Sequence, residues 1–133
     1  MKETVSFIDL APEYRVSVEE YADIRQSTPH ILLDVRSVIQ FNMVSLSNDN
    51  GSQKEINIPL KDLEKMSYGD IILKCFGETV VDSCICVYTL CRRGIDSVVA
   101  AKVLIEKGFM SVKNIDGGLT SWHTSIDPEF PLY

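Results

Sequence analysis

Short apolar runs alternate with amphipathic stretches along most of the chain. Residues 17–29, SVEEYADIRQSTP, open on Ser17 with Glu20 three positions later, a capping-box pattern. Val18, Tyr21, Ile24 and the stem of Arg25 then share one helical face, and Pro29 ends the run. HILLDVR follows. Its stretch from Ile31 to Val35 is nearly continuously apolar, the mark of a short strand covered on both faces. Residues 37–46, SVIQFNMVSL, fit a short helix. SNDNGSQK, 47–54, is polar and turn-rich and is expected to form an exposed loop. EINIPL, 55–60, reads as a strand closed by Pro59, and Leu60, Leu63 and Met66 then recur at helical spacing.

The stretch 68–83 is ambiguous, with Ile71, Ile72 and Leu73 compatible with a helix. CICVYTL, 84–90, is the strongest candidate for a buried strand. Apolar residues at 98, 99, 101, 103 and 104 predict a helix from Ser97 to Lys107, ended by Gly108. SVKNI, 111–115, reads as a short strand. GGLTSWHTSI, 117–126, reads as a helix after a double-glycine turn. The tail DPEFPLY carries two prolines and is expected to lie irregularly on the surface. Strands alternating with helices imply an α/β fold, a parallel sheet with helices on both faces. Neither an internal repeat nor a low-complexity tract interrupts residues 1–133, which read as a single domain.

Bulk composition narrows the function classes. The chain has 133 residues, of which 45% are hydrophobic, enough for one domain with a real core. Its net charge of −6 argues against non-specific nucleic-acid binding. No apolar run approaches the roughly 20 residues that span a bilayer, and MKETVSFIDLAPEYR does not read as a signal peptide. The expectation is a cytoplasmic protein with no membrane partner. In a reducing compartment Cys75, Cys84, Cys86 and Cys91 should be free thiols. Their C-x-C-x4-C order lacks a C-x2-C pair, and His30 and His123 are remote in sequence, so no metal site is expected.

The chemistry concentrates in CRRGIDS, 91–97. In open parallel sheets, reactive groups gather beyond the carboxyl ends of strands. Cys91 follows the strongest predicted strand and precedes a helix that starts near Ser97. Gly94 can take positive φ, so the loop can turn its backbone N–H groups inward around the Cys91 sulfur. The positive end of the helix and the charges of Arg92 and Arg93 act in the same direction, favouring thiolate over thiol. Ile95, Asp96 and Ser97 complete the loop. Cys84, Cys86 and Cys75, within apolar stretches, read as packing residues.

Four motifs in order then resemble the rhodanese family, over most of the chain from about Val16 onward. LLDVRSVIQF (32–41) is similar to the family's Asp-Val-Arg segment, with Gln40 where Glu is common. INIPL (56–60), CRRGIDS (91–97) and DGGLTSW (116–122) are similar to its later hallmarks. RVSVEEY, LLDVR, IPLKDLE, DGGL-x-x-W and the terminal ID-x-x-FP-x-Y further resemble one subgroup, the C-terminal rhodanese-like domain of eukaryotic molybdopterin-synthase adenylyltransferase/sulfurtransferases, which also thiolate a ubiquitin-related modifier. The departures are SLSNDNGSQKEINIP, which replaces the usual Gly-His-Ile-Pro region, and Ile95, where the loop often carries a polar residue.

The resemblance implies that this chain is a C-terminal fragment of a longer protein, with an adenylation domain in the same chain. It implies a sulfurtransferase whose catalytic Cys91 takes sulfur from a protein persulfide donor such as a cysteine desulfurase. The persulfide, held by the loop Arg92, Arg93, Gly94, Ile95, Asp96 and Ser97, then passes to the activated C-terminus of a ubiquitin-fold sulfur-carrier protein. Molybdenum-cofactor synthesis and tRNA thiolation are the implied outlets. No cofactor is implied here; ATP and zinc would belong to the adenylation domain. Arg92 and Arg93 either support the anion or face solvent. Asp96 repels small anions such as thiosulfate, tuning the loop to protein partners, caps the following helix, or does both. Asp34 and Arg36 read as a structural charge pair, Trp122 as core.

Two rivals share the fold, and a third reading, an arsenate reductase-like redox use of Cys91, lacks a resolving cysteine in the loop. Cell-cycle-type dual-specificity phosphatases need an Arg six residues after the cysteine to bind phosphate bidentately. Ser97 stands there, and Asp96 would repel a phosphate dianion. A catalytically silent docking module is the other, and Cys91 is the residue that argues against it.

Overall fold

The computed structural model describes residues 10–46, 53–77 and 85–132, with Gln53 described for its backbone only. Five strands form one sheet: β1 (Arg15–Val16), β2 (His30–Asp34), β3 (Gln53–Asn57), β4 (Cys86–Leu90) and β5 (Val112–Ile115). Their order is β1-β5-β4-β2-β3, and every neighbouring pair is parallel. Between them run α1 (Val18–Ser27), α2 (Val38–Met43), α3 (Leu60–Lys65), α4 (Tyr68–Phe76), α5 (Asp96–Lys107) and α6 (Gly118–Ser125).

The apolar run of β2 is buried at every position because both faces are covered. Ile31 and Leu33 point into one core with Val87, Leu63, Ile71, Val98 and Leu104, on the α3–α4–α5 side. Leu32 points the other way, to Tyr21, Tyr88, Leu119 and Trp122, on the α1–α6 side. The expected α/β architecture, a parallel sheet with helices on both faces, is what the chain adopts.

Register positions the site. Asp34 of β2 lies opposite Leu90 of β4, so the two central strands end level. The Val35 N–H donates to the Leu90 carbonyl at 3.0 Å, which carries the pairing one residue further. The segments after β2 and after β4 therefore emerge side by side, where a parallel sheet collects its ligands.

Several expectations shift. β3 starts at Gln53 and ends at Asn57, so residues 53 and 54 leave the expected loop and Ile58–Pro59 follow the strand. The remainder of that loop, 47–52, lies outside the described residues, as does Cys84. The ambiguous stretch resolves into α4. Ser67 Oγ accepts from the Asp70 N–H at 3.1 Å in a second capping box, and Gly77 closes the helix at φ +74°. Residues 78–83 lie outside the described set. The tail is better anchored than expected: Phe130 is buried against the α1–α6 core, and its carbonyl accepts from His123 Nδ1 at 2.7 Å.

Candidate active site

Cys91 follows β4 directly and α5 begins at Asp96, leaving five residues for a turn around the sulfur. Gly94 makes the turn possible. Its φ is +85°, and a Cβ there would sit 2.6 Å from the Gly117 nitrogen. With that geometry the Gly94 N–H donates to Cys91 Sγ at 3.0 Å and the Ser97 N–H does so at 3.4 Å. The Cys91 S–H in turn donates to Ser97 Oγ at 3.3 Å. Ser97 is fixed from behind, its carbonyl accepting from Thr89 Oγ1 at 2.9 Å.

The first two carbonyls of the loop are held by α6. The Leu119 N–H donates to the Cys91 carbonyl at 3.0 Å, and the Thr120 N–H donates to the Arg92 carbonyl at 2.8 Å. These are first-turn donors that a helix cannot satisfy internally. The contact demands a glycine, since a Cβ on Gly118 would lie 2.3 Å from the Cys91 carbonyl oxygen. The two backbone acceptors are thus drawn to one side of the loop and donors left facing the sulfur.

Cys91 lies at the floor of an open cleft of about 410 Å³, itself only 4% exposed. One wall is Val35, Arg36, Ser37 and Gln40; the other is Arg92, Arg93, Ile95 and Asp96. All seven loop residues named from sequence therefore come together, with Gly94 and Ser97 inside and Arg92, Arg93, Ile95 and Asp96 outward. The capping alternative for Asp96 is corrected. The position before α5 is Ile95, which makes no side-chain cap, and Asp96 is the first helical residue, where a carboxylate favours the helix dipole.

The opposite wall was missed as part of the site. Its signal was the Ser37 hydroxyl at the end of Asp-Val-Arg-Ser, which accepts from the Gln40 N–H at 3.2 Å and starts α2 beside the cleft. Arg36 faces the same cleft but is held from behind. Its Nη2 pairs with Asp34 Oδ2 at 2.7 Å, both side chains buried, and also donates to the Val44 carbonyl at 2.6 Å. Asn57 Nδ2 donates to the Asp34 and Arg36 carbonyls at 3.0 and 2.9 Å.

The other described cysteines lie elsewhere. Cys86 opens β4, at the far end from Cys91, and burial pushes its thiol up. Cys75 is packed in α4, and burial pushes its thiol up to about 11. Among the described residues no group of three or more His, Cys, Asp and Glu is placed to hold a metal ion. Nor is any described helix long and apolar enough to cross a membrane.

A level pair of strand ends, a cysteine at the floor of a loop of inward N–H groups and a double-glycine helix start behind it sit on a fold that is rhodanese-like. No protein-family model matches the chain. Similar solved structures include the human single-domain sulfurtransferase TSTD1, at TM-score 0.65 and 20% identity over 84% of this chain and 96% of that one. A rhodanese-like domain protein from Staphylococcus aureus superposes at 0.59, with 18% identity over 81% and 89%. Among curated proteins, the chain is similar to "Adenylyltransferase and sulfurtransferase MOCS3" of Drosophila yakuba, 36% identical over 93% of this chain and 25% of the relative. It is 41% identical to MOCS3-1 of Zea mays, over 95% and 25%. The chain spans about a quarter of the length of these curated relatives.

Proposed function

We propose that this chain is a sulfurtransferase that carries sulfur as a persulfide on Cys91 and delivers it to the activated C-terminus of a ubiquitin-fold sulfur-carrier protein. The observation that carries the reading is the pair of backbone N–H groups, Gly94 and Ser97, aimed at one sulfur atom. Donors preorganised on sulfur serve an anion there, as an oxyanion hole serves oxygen.

The cycle balances as two exchanges and a release. The Cys91 thiolate attacks the terminal sulfur of a donor persulfide, such as that of a cysteine desulfurase; the S–S bond of the donor breaks, and the donor leaves as a thiolate. The Cys91 persulfide then attacks the acyl-adenylate carbon of the acceptor, forming an acyl disulfide and expelling AMP. A thiolate from outside this chain attacks Cys91 Sγ, forming a new disulfide and releasing the acceptor as a thiocarboxylate; a dithiol reductant then reduces that disulfide, is itself oxidised to a disulfide, and returns Cys91 to the thiolate. Splitting one hard transfer into thiol exchanges is covalent catalysis.

Arg92 and Arg93 at the mouth attract the anionic reactants, and Asp96 weakens the hold on small free anions. The adenylation step, with its ATP and zinc, is assigned to a separate domain, and the setting to the cytoplasm, serving molybdenum-cofactor synthesis and tRNA thiolation. A phosphatase reading fares worse, because the sixth residue after Cys91 is the buried Ser97 and not an arginine. The test supplies a cysteine desulfurase, cysteine and an adenylated sulfur-carrier protein, with the chain or its Cys91→Ala variant. Thiocarboxylate on the carrier with wild type alone supports the reading; equal yield with Cys91→Ala contradicts it.

A further inference from the structure

Helix α2 forms one shoulder of the cleft and contributes no buried residue. Three of its four apolar side chains face outward: Val38 is 52% exposed, Ile39 75% and Met43 62%, while Phe41 is half-buried. Ile95, 42% exposed, stands on the facing wall. From Ser37 to Asn48 the chain carries no charged residue, although 24% of the whole is charged. Isolated exposed apolar residues are ordinary, but three on one six-residue helix beside a reactive cysteine form a patch. Small inorganic anions would gain nothing from such a shoulder.

We infer that α2 is the docking face for the acceptor protein: a folded partner with an apolar surface bordered by carboxylates, which reaches Cys91 through an extended, anionic chain end. This rests on the sulfur-carrier reading above. Three observations fix the partner's chemistry. The sulfur lies recessed at the floor of the cleft, so a folded surface resting on the rim reaches it only through a projecting segment. Arg92 and Arg93 line the mouth opposite α2, and they complement an anionic chain end and carboxylates beside it. The shoulder itself is uncharged, as the centre of a protein interface is, with charge left to the rim.

The test separates docking from chemistry. Ile39→Asp and Met43→Asp are each compared with wild type and with Ile39→Leu. One assay follows sulfur gain on the protein from thiosulfate, which needs no docking face. The other follows thiocarboxylate formation on an adenylated ubiquitin-fold sulfur-carrier protein. Both Asp variants should keep thiosulfate loading within about twofold. They should lose about tenfold or more in kcat/KM for the acceptor, the effect of one interface anchor. Ile39→Leu should match wild type in both assays. Acceptor transfer that stays within about twofold in the Asp variants would overturn the inference, as would an equal fall in both assays. Wild-type dimerisation, seen by sedimentation and abolished by Ile39→Asp, would assign the face to a second copy instead. Wild type that takes up no sulfur at all would overturn the carrier reading, and this inference with it.

Discussion

The two walls of the cleft are built by different means. The loop after β4 is held by its backbone: Gly94 and Ser97 donate to the sulfur, and Leu119 and Thr120 of α6 hold the carbonyls behind. The segment after β2 is held by buried and half-buried side chains. Arg36 spans Asp34 and the Val44 carbonyl, Asn57 ties two carbonyls, and the Leu46 N–H is bonded to Glu55. A backbone-built wall fixes donors on one atom whatever its outward side chains are. A side-chain-built wall leaves its outer face free to vary, and there the apolar surface of α2 is found.

The contrast predicts that the walls fail differently. The largest stability effect should come from Arg36→Met, which leaves Asp34 buried without its partner; breaking a buried pair costs about 3–5 kcal/mol. Denaturant unfolding measures this. The variant, while folded, should still load sulfur on Cys91, because the donors to sulfur are untouched. Gly118→Ala should reverse the balance. Its φ of +58° is costly for alanine, about 1–3 kcal/mol, and the new methyl displaces the Cys91 carbonyl. Sulfur loading by the folded fraction should fall by more than the stability loss accounts for, read by mass spectrometry beside an unfolding curve. Equal behaviour of the two variants would erase the distinction between the walls.

Asp96→Arg should sharpen the picture from the outside. The side chain is exposed on the first turn of α5, so stability should change by less than about 1 kcal/mol. Thiosulfate turnover should rise, and unchanged or lower turnover in a folded variant would count against a role in excluding small anions.

A subtler effect concerns pH. Burial, with Asp34 next, pushes the Glu55 carboxyl up to about 7, against the pull of Arg36, Arg25 and the Leu46 N–H, and its Oε2 is buried without a hydrogen-bond partner. The folded state therefore binds this proton more tightly than the unfolded one, whose carboxyl titrates near 4.5. Stability from this group is fully present below 4.5 and is lost as pH rises through about 7. His30 works oppositely, since burial holds its imidazole below the usual range and stability rises as pH climbs through that window. Glu55→Gln isolates the carboxylate: it should stabilise relative to wild type at pH 8 and give no such gain at pH 4.5, by denaturation midpoint. The smallest effect is Ser17→Ala, about 1 kcal/mol for one lost cap, far from both walls.

What the sequence makes legible follows the same physics. β2 is readable because burial on both faces leaves an uninterrupted apolar run, and α1 because Ser17 and Glu20 cap it. The loop 91–97 is readable because its turn around the sulfur needs a glycine and follows a strand directly. β1, only two residues long, leaves no periodicity; it exists through pairing with β5 and the Arg15–Asp116 ion pair at 3.0 Å. α4 hid behind Gly69, with Ile71, Ile72 and Leu73 only compatible with a helix and its start marked by Ser67 and Asp70. Phe130 looked like surface because its prolines suggested it, whereas the core cluster it joins includes Val16, Val18 and Tyr21, distant in sequence. The α2 wall escaped notice as site because its meeting with Cys91 is a matter of strand register, which no local pattern carries.

The most direct test of the central claim is intact-protein mass spectrometry after incubation with thiosulfate, or with a cysteine desulfurase and cysteine, wild type beside Cys91→Ala. A dithiothreitol-sensitive gain of one sulfur atom, mapped to Cys91 and absent from the variant, is the predicted result. A folded wild-type protein that gains no sulfur from either donor would contradict it and leave a silent docking module.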